Sequence, residues 1–333
     1  MPVSAVILAA GKSTRMKSAT PKPLQPVCGR PMLGYLLDAV REAGAETIVV
    51  VVGHGKELVI DAFGSEKGVV FVEQKEQLGT GHAVQVAVPA LPESGDVIVL
   101  AGDLPLVRGA SLKELVEKHR EASAAMSLAT AIVPDPTGYG RILRDGQGDF
   151  VHIVEQLDAT PEQREIREVF PSVTCGTARA MKDALSKLKN DNAKGEYYFT
   201  DAFGLAREAG GTILAVPCVG ADDVVAPNDR RQLAEAGRVM QGRLQEALMA
   251  EGVGIDDPRT TWIEHGVEVG RDTRILPFTY IERGARLGED CQVGPFAHVP
   301  AGAALKDGST LANNAAGAAS ASALSAADQG GLL

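Results

Sequence analysis

The sequence has little of several features that mark special classes of protein. Its 333 residues include four cysteines without a CxxC pair, which argues against a disulfide framework or a zinc site and predicts reduced thiols in a cytoplasmic protein. Its apolar runs are far shorter than the ~20 residues of a membrane helix. No basic segment precedes the first apolar stretch, so we expect neither a membrane span nor a signal peptide. Positive charge is also scarce, because 33 Lys and Arg oppose 43 Asp and Glu, and the net charge of −10 argues against a nucleic-acid partner.

What the sequence does have is an alternation of apolar runs and amphipathic stretches over residues 1–228. Nearly continuous apolar runs are typical of strands buried on both faces, and their alternation with helices predicts a doubly wound α/β sheet. The predicted strands are Val3–Leu8, Thr47–Val52, Val69–Val72, Val97–Ala101 and Met126–Val133. The predicted helices between them are Met32–Ala43, His82–Val88 and Ser111–Ala122.

A second pattern follows a charged helix predicted over residues 229–251, which lies on the domain surface or links two domains. Aliphatic residues recur every six positions, with a small or modest residue two positions before each. A period of six fits neither a helix nor a simple strand and is the signature of a hexapeptide β-helix. The seven positions are Val269, Ile275, Ile281, Leu287, Val293, Val299 and Leu305. We therefore predict a β-helix of about two coils over 252–309 and an alanine-rich tail, disordered or a frayed helix, over 310–333.

The loop after the first strand carries a glycine and several cations. Gly11 opens it, and the basic residues are Lys12, Arg15, Lys17 and Lys22. Backbone amides and cations in this arrangement suit a polyphosphate, although an ordinary βα turn with solvated lysines is an equally good interpretation. The P-loop pattern GxxxxGK[ST] is absent.

Asp103 follows the apolar strand that ends at Ala101. The carboxyl ends of strands are the ligand edge of an open α/β sheet. A carboxylate next to a phosphate loop suits Mg²⁺, although on local grounds alone a turn or cap aspartate is the better interpretation of Asp103.

Six motifs in fixed order carry a resemblance to a known family. They read LAAGKSTRMKS with PKPL, then EQLGTGHAV, AGDLPL, DPTGYGRI, IVEQLDAT and GEYYFTD. The set resembles the bacterial GlmU proteins, bifunctional N-acetylglucosamine-1-phosphate uridyltransferase/acetyltransferases, over roughly residues 3 to 308. The resemblance implies a Rossmann-like nucleotidyltransferase domain over 1–228, a linker helix over 229–251 and a short left-handed β-helix. It also implies Mg²⁺ as cofactor, UTP and a sugar 1-phosphate as substrates, and a possible homotrimer.

The resemblance also implies roles for individual residues. Arg15 and Lys22 would hold the phosphates during catalysis. Asp103 and Asn228 would bind Mg²⁺, although Asn228 also stands where it could cap the helix that follows. The residues implied at the nucleotide are Leu8, Ala9, Ala10, Gly11, Gln74, Gly79, Thr80, Gly102 and Asp103. Those implied at the sugar are Gly140, Glu155, Phe170 and Thr200.

Two departures from the family pattern affect the expected function. Phe170 stands where the family has an asparagine that contacts the sugar, so we expect looser sugar selection. The hexapeptide run stops before the coils that hold the family's acetyl-coenzyme A site, so we expect no acetyltransferase activity.

The leading hypothesis is therefore uridylyl transfer from UTP to N-acetylglucosamine 1-phosphate. One alternative keeps the reaction and changes the sugar, for example to glucose 1-phosphate. Another is a nucleotide-sugar binding or regulatory protein without catalysis, although a pure binder would not need the metal pair.

Overall fold

The computed structural model describes residues 1–192, 195–312 and 325–326. Contacts divide the chain into two units. The first comprises Met1–Gln25 and Pro31–Leu233, and the second comprises Pro26–Arg30 and the residues from Ala234 onward. No helix in the described part is long and apolar enough to cross a membrane.

The strands up to Val216 are β1 (Val3–Ala9), β2 (Pro26–Val27), β3 (Arg30–Pro31), β4 (Ala45–Val52), β5 (Val69–Glu73), β6 (Asp96–Ala101), β7 (Met126–Ala129), β8 (Ala131–Ile132), β9 (Gly140–Arg144), β10 (Phe150–Val154), β11 (Glu168–Phe170), β12 (Val173–Thr177) and β13 (Ile213–Val216). The helices in the same part of the chain are α1 (Met32–Glu42), α2 (Lys56–Phe63), α3 (Thr80–Ala87), α4 (Gly109–Glu121), α5 (Pro161–Arg164), α6 (Ala178–Leu185) and α7 (Asp201–Glu208). Short 3₁₀ turns lie at Thr14–Met16, Lys22–Leu24, Val88–Ala90 and Ala221–Val224.

Within the described residues, the first unit is built on a seven-stranded sheet of order β13-β7-β12-β6-β1-β4-β5. Alternate residues of β1 enter two separate cores: Ala5 and Ile7 face one, and Val6 faces the other. Both faces of the sheet are thus covered, which explains the continuously apolar strands. The α/β prediction is confirmed, with one difference: β12 runs antiparallel to both β6 and β7.

The predicted strand Met126–Val133 is wrong in one respect, because it is two strands in two sheets. β7 belongs to the large sheet, whereas β8 is the edge of a four-stranded sheet of order β10-β9-β11-β8. The break falls at buried Thr130, whose N–H donates to Val216 O and whose hydroxyl donates to Glu168 Oε1. A polar residue with both groups bonded across the break redirects the chain from one sheet to the other.

The second unit begins with most of helix α8 (Arg230–Ala250), which carries the chain out of the first unit. The strands that follow are β14 (Gly254–Ile255), β15 (Trp262–Ile263), β16 (Glu268–Val269), β17 (Arg274–Ile275), β18 (Tyr280–Ile281), β19 (Arg286–Leu287), β20 (Gln292–Val293), β21 (His298–Val299), β22 (Ala303–Leu305), β23 (Thr310–Leu311) and β24 (Ser325–Ala326).

These short strands form three parallel stacks: β14-β17-β20-β23, β15-β18-β21 and β16-β19-β22, with β24 antiparallel to β22. Residues 18 positions apart stack directly, as Ile275 does on Val293 and Val293 on Leu311. The β-helix prediction is confirmed, and the run is longer than predicted. Ile263 and Leu311 extend the six-residue spacing at either end and are both buried. The described residues therefore form about three coils rather than two.

The predicted tail is partly wrong, because Thr310 and Leu311 form a β-helix strand. Ser325 and Ala326 form β24. The rest of the predicted tail lies outside the described residues.

The segment Pro26–Arg30 is a component of the second unit that the sequence does not predict. Cys28 O accepts a hydrogen bond from His265 N–H at 2.8 Å, and Gln241 Nε2 donates to the Cys28 thiol. Burial raises the pKa of the Cys28 thiol to about 11. Gly29 has φ +73°, and a Cβ there would lie 2.3 Å from the Glu264 carboxylate, so only glycine fits.

Candidate functional site

The carboxyl ends of β1 and β6 lie side by side and form the base of the candidate site. The Gly102 N–H donates to Leu8 O at 2.9 Å, and a Cβ at Gly102 would lie 2.6 Å from that oxygen. Only glycine allows this approach of the two strand ends. As a result Asp103, which follows β6, stands next to the loop that follows β1.

The loop after β1 goes from buried to exposed within three residues. Ala9 and Ala10 are buried, whereas Gly11 is exposed. Gly11 opens this loop without left-handed backbone, because its φ lies outside the left-handed region, and a Cβ there would meet nothing within 4 Å. Left-handed backbone occurs instead at Ser13 and Lys17. Gly11 therefore provides open space over the backbone, where a ligand could approach closely.

Four side chains from distant parts of the chain meet at this edge. The Lys22 ammonium forms an ion pair with Asp103 Oδ2 and donates to Asn228 Oδ1 at 2.9 Å. Arg15 Nη2 donates to the same Asn228 oxygen at 2.9 Å. Lys22 and Asp103 are partly buried, with side chains 11% and 25% exposed, while Arg15 is exposed. Two cations thus converge on one carboxylate and one amide oxygen, which leaves a net positive charge facing solvent.

The structure excludes the helix-cap interpretation of Asn228. The helix cap is Asp229, whose Oδ1 accepts from Gln232 N–H at 2.8 Å at the start of α8. The Gln232 side-chain oxygen in turn accepts a hydrogen bond from the Asn228 N–H. Asp229 and Gln232 therefore cap the helix together. The Asn228 side chain is not the cap and turns toward Lys22 and Arg15.

The donor set at this edge fits Mg²⁺. Within residues 1–192, 195–312 and 325–326 no group of three or more His, Cys, Asp and Glu is arranged to hold a metal. Asp103 and Asn228, however, both contact the Lys22 ammonium, so their oxygens already face a single cation. Mg²⁺ takes one or two protein oxygens and completes its shell with substrate phosphates and water. A metal at this position would require the Lys22 ammonium to move.

A second group of predicted residues surrounds the start of α3. Gln74 is buried, and its Nε2 donates to Gly79 O at 3.1 Å and lies 3.2 Å from His82 Nδ1. Gly79 has φ +106°, and a Cβ there would lie 2.5 Å from Tyr197 O. Thr80 Oγ1 accepts from the Phe199 N–H at 3.1 Å. The group is therefore prearranged by backbone contacts.

Gly140 and Glu155, predicted at the sugar, lie together on the small sheet. Gly140 opens β9 and pairs with Phe170 of β11. A Cβ at Gly140 would lie 3.7 Å from both Glu155 carboxylate oxygens and 2.8 Å from the Ile153 side chain. The glycine therefore leaves the space beside the Glu155 carboxylate open.

Phe170 lies in strand β11, and its ring packs in the core. The ring is 8% exposed and meets Phe203 edge-on at a centroid distance of 5.9 Å. Phe203 also contacts Phe150 and Phe199. Thr200 lines a cavity of about 30 Å³ with Phe150 and Phe203. The aromatic cluster thus lies under the predicted sugar pocket, and position 170 offers no amide to it.

Another group of polar residues lies at the amino end of β6, opposite the end that carries Asp103. His119 is buried, and its Nδ1 lies 2.9 Å from Ser127 Oγ and its Nε2 3.7 Å from Asp96 Oδ1. Ser127 is 0% exposed, so this Ser-His-Asp group cannot reach a substrate. Arg120 pairs with the other Asp96 oxygen at 2.6 Å. Burial lowers the pKa of His119, which keeps the ring neutral at pH 7.

Two contacts of the site were not expected from the sequence. One is the bridging of Asp103 and Asn228 by Lys22, which was assigned to phosphates alone. The other is the contact between Gln74 and His82, which the sequence presents as an ordinary helix residue. The spacing EQxxxxxxxH does not identify the pair, because the contact depends on the loop between β5 and α3.

Comparison with known proteins shows the family to which the chain belongs. The family model of the MobA-like NTP transferase domain matches residues 5–192, which is more than half of the chain. A bifunctional protein GlmU of Pelobacter propionicus is 46% identical over 276 residues, covering 83% of this chain and 60% of that protein. One from Caldanaerobacter subterraneus subsp. tengcongensis is 46% identical over 275 residues, covering 82% and 59%. The chain thus spans about 60% of the length of these relatives.

Among solved structures, a UDP-glucose pyrophosphorylase complexed with UDP-glucose superposes with a TM-score of 0.59 at 19% identity. The match covers 73% of this chain and 100% of that one. At this identity the likeness shows a shared fold. The chain is a homologue of the GlmU proteins and belongs to the family of the MobA-like NTP transferase domain, with a nucleotidyltransferase domain in its first unit.

Proposed function

We propose that this protein transfers the uridylyl group of UTP to N-acetylglucosamine 1-phosphate and releases pyrophosphate. The observation that carries the proposal is the convergence of Lys22 and Arg15 on the oxygens of Asp103 and Asn228. A protein that only bound a nucleotide-sugar would have no need to set a carboxylate among phosphate-binding cations. The family of the domain and the GlmU relatives support the same reaction class.

The proposed reaction asks the protein for charge and alignment. A phosphate oxygen of the sugar phosphate attacks the α-phosphorus of UTP, and the bond from that phosphorus to the oxygen shared with the β-phosphate breaks, so that pyrophosphate leaves with that oxygen. The nucleophile is already anionic at pH 7, so no general base is required. Arg15 and Lys22 bind the phosphates, hold the two anions in line and stabilise the charge that develops on pyrophosphate.

Asp103 and Asn228 are the residues that would hold Mg²⁺. When bound, the metal neutralises phosphate charge and helps orient the reacting groups. The site has a positive charge without it, because Lys22 and Arg15 outnumber Asp103. Lys22 therefore has two roles in the proposal, holding the two oxygen ligands before nucleotide arrives and binding phosphate afterwards.

The base would lie against Gln74, Gly79 and Thr80. With Nε2 of Gln74 donating to Gly79 O, its amide oxygen is the group available to accept the N3–H of uracil. Cytosine has an acceptor at that position, so we expect UTP to be used in preference to CTP.

The sugar is the point at which a second candidate is specifically favoured. An asparagine at position 170 would offer an amide to the acetamido group, but the buried ring of Phe170 cannot. A pocket without a polar partner discriminates weakly between substrates. We expect glucose 1-phosphate to be used within about tenfold of N-acetylglucosamine 1-phosphate in kcat/KM. Phe170→Asn should shift the preference toward the N-acetylated sugar.

The test is pyrophosphate release from UTP with each of the two sugar 1-phosphates. Lys22→Met should lower kcat/KM about a hundredfold or more. Lys189→Met, which makes the same change at an exposed position, is the control and should have no effect. Equal activity of Lys22→Met and wild type would contradict the proposal. A wild-type preference of more than about a thousandfold for the N-acetylated sugar would contradict the loose selection proposed from Phe170.

The acetyltransferase, assembly and localisation expectations stay predictions. Assay of purified protein with acetyl-coenzyme A and glucosamine 1-phosphate tests the expected lack of acetyl transfer. Sedimentation at micromolar concentration tests the homotrimer, and fractionation of cells tests the cytoplasmic location.

A further inference from the structure

A cavity of about 280 Å³ lies on the small sheet of the first unit. It is close to the lower limit of size for small-molecule sites. Its walls include three arginines, Arg141, Arg164 and Arg167, and two acids, Asp135 and Glu165. The charge of these walls is therefore positive, although the protein as a whole is acidic.

Arg141 is the unusual member of this set, because it is 1% exposed and its described contacts include no carboxylate. Its guanidinium donates to Tyr139 O, to Gln156 Oε1 at 2.6 Å and, at 3.5 Å, to Arg164 O. The Nε–H has no partner among the described residues. The Asp135 carboxylate interacts electrostatically with Arg141 but accepts none of its described hydrogen bonds. A buried donor left unpaired is costly, and that cost would fall if an anion entered the cavity.

The two other arginines are free to bind an anion. The side chains of Arg164 and Arg167 are exposed and form no hydrogen bond or ion pair in the described part of the chain. The Asp135 carboxylate is already engaged, because its Oδ1 accepts from Thr137 N–H at 3.0 Å. Hydrogen bonding to Thr137 lowers the pKa of Asp135, so this acid stays charged, but the three arginines still outnumber Asp135 and Glu165.

We propose that this cavity binds a phosphate-type dianion between Arg141, Arg164 and Arg167. A guanidinium group can donate two parallel hydrogen bonds to two oxygens of one phosphate. A dianion suits three cations better than a single carboxylate does. The ligand is therefore inorganic phosphate or the phosphate group of a small metabolite.

Two residues that line the cavity are sequence neighbours of two residues predicted at the sugar. Arg141 directly follows Gly140 on β9, and Gln156 directly follows Glu155. Successive residues of an extended strand point to opposite faces, so Arg141 and Gly140 present opposite sides of the same strand. Gln156 Oε1 also accepts from the Gly138 N–H at 3.1 Å, which ties the loop before β9 to the same group. An anion that reoriented Arg141 would act on the backbone of both sugar-pocket residues.

Isothermal titration of the full-length chain with inorganic phosphate tests the proposal. The double variant Arg15→Ala/Lys22→Ala weakens phosphate binding at the candidate active site, so a saturable component that survives it reports on the cavity. We expect that component to weaken at least tenfold on addition of Arg164→Ala and Arg167→Ala. Addition of Arg179→Ala instead, at an arginine with a 91% exposed side chain, should change it less than twofold.

Two results would overturn the proposal. One is that no saturable component survives in the Arg15→Ala/Lys22→Ala protein at millimolar phosphate. The other is that the component survives with unchanged affinity after Arg164 and Arg167 are removed. An independent readout is the ¹⁵N resonance of Arg141 Nε, assigned by its loss in Arg141→Lys. It should shift on phosphate saturation, and a resonance that does not move would also overturn the proposal.

Discussion

The two ends of strand β6 each carry an aspartate, and the two have opposite roles. Asp96 at the start of the strand is 1% exposed, and its carboxylate lies near Arg120 and His119, whose ring contacts Ser127 on its other side. Asp103, just past its end, has a side chain 25% exposed and shares Lys22 with Asn228. Both ends carry residue types that are common in active sites, but only the carboxyl end is accessible to solvent. The residue types therefore do not identify the active site; access at the carboxyl end of the sheet does.

The largest effect should come from Asp103→Asn, which removes the charge at the open end. We expect pyrophosphate release to fall about a hundredfold or more, because the carboxylate proposed to hold Mg²⁺ at the reacting phosphates is lost. The fold should be intact, since Asp103 is partly solvated. The measurement is kcat/KM at saturating Mg²⁺ together with a thermal melt, and activity within a few-fold of wild type would mean that Asp103 is only a turn residue.

The reverse pattern is expected for Asp96→Ala at the closed end. Loss of the buried carboxylate should lower the free energy of unfolding by about 2 kcal/mol, because Arg120 loses its partner. Arg120 is partly exposed and can be solvated, which limits the cost. The kcat of the folded fraction should match wild type. A fall in kcat as large as that of Asp103→Asn, without loss of stability, would remove the distinction between the two ends.

The smallest effect concerns the pH dependence of stability. Because the pKa of His119 is lowered in the folded state, the unfolded chain binds a proton more readily below about pH 6.5. The stability that the neutral ring contributes is present above that pH and is lost as the pH falls through the folded pKa. In His119→Gln the decline of the melting temperature from pH 7 to pH 5 should be shallower than in wild type. Parallel curves would show that His119 does not titrate on unfolding.

Much of the first unit could be predicted because its buried strands are continuously apolar. β12 escaped prediction because Thr174, Gly176 and Thr177 interrupt its apolar character, although Thr174 and Gly176 are buried. The β-helix was found from its period of six. The period does not predict the full length of the β-helix, because Leu311 stands in an alanine-rich segment and Ile263 follows irregular sequence.

The candidate site was predictable as a set of residues but not as a set of contacts. Asp103 could be placed at a strand end from sequence. Its meeting with Lys22 and Asn228 depends on contacts across 81 and 206 positions, which no local pattern encodes. The capping of α8 by Asp229 could have been inferred from its spacing to Gln232, since an acidic cap and a glutamine three residues later are a helix-start signal.

The placement of Pro26–Arg30 in the second unit has a consequence for how the chain can be made and divided. During synthesis this segment is completed long before its partners, since Cys28 and Gly237 are 209 positions apart. The buried side chains of Val27 and Cys28 must therefore wait for most of the chain before they are covered. A gene fragment ending at Leu233 would encode these residues without their environment, and one beginning at Ala234 would lack a strand of its own unit. The two units are consecutive in most of their sequence, yet no single cut separates them.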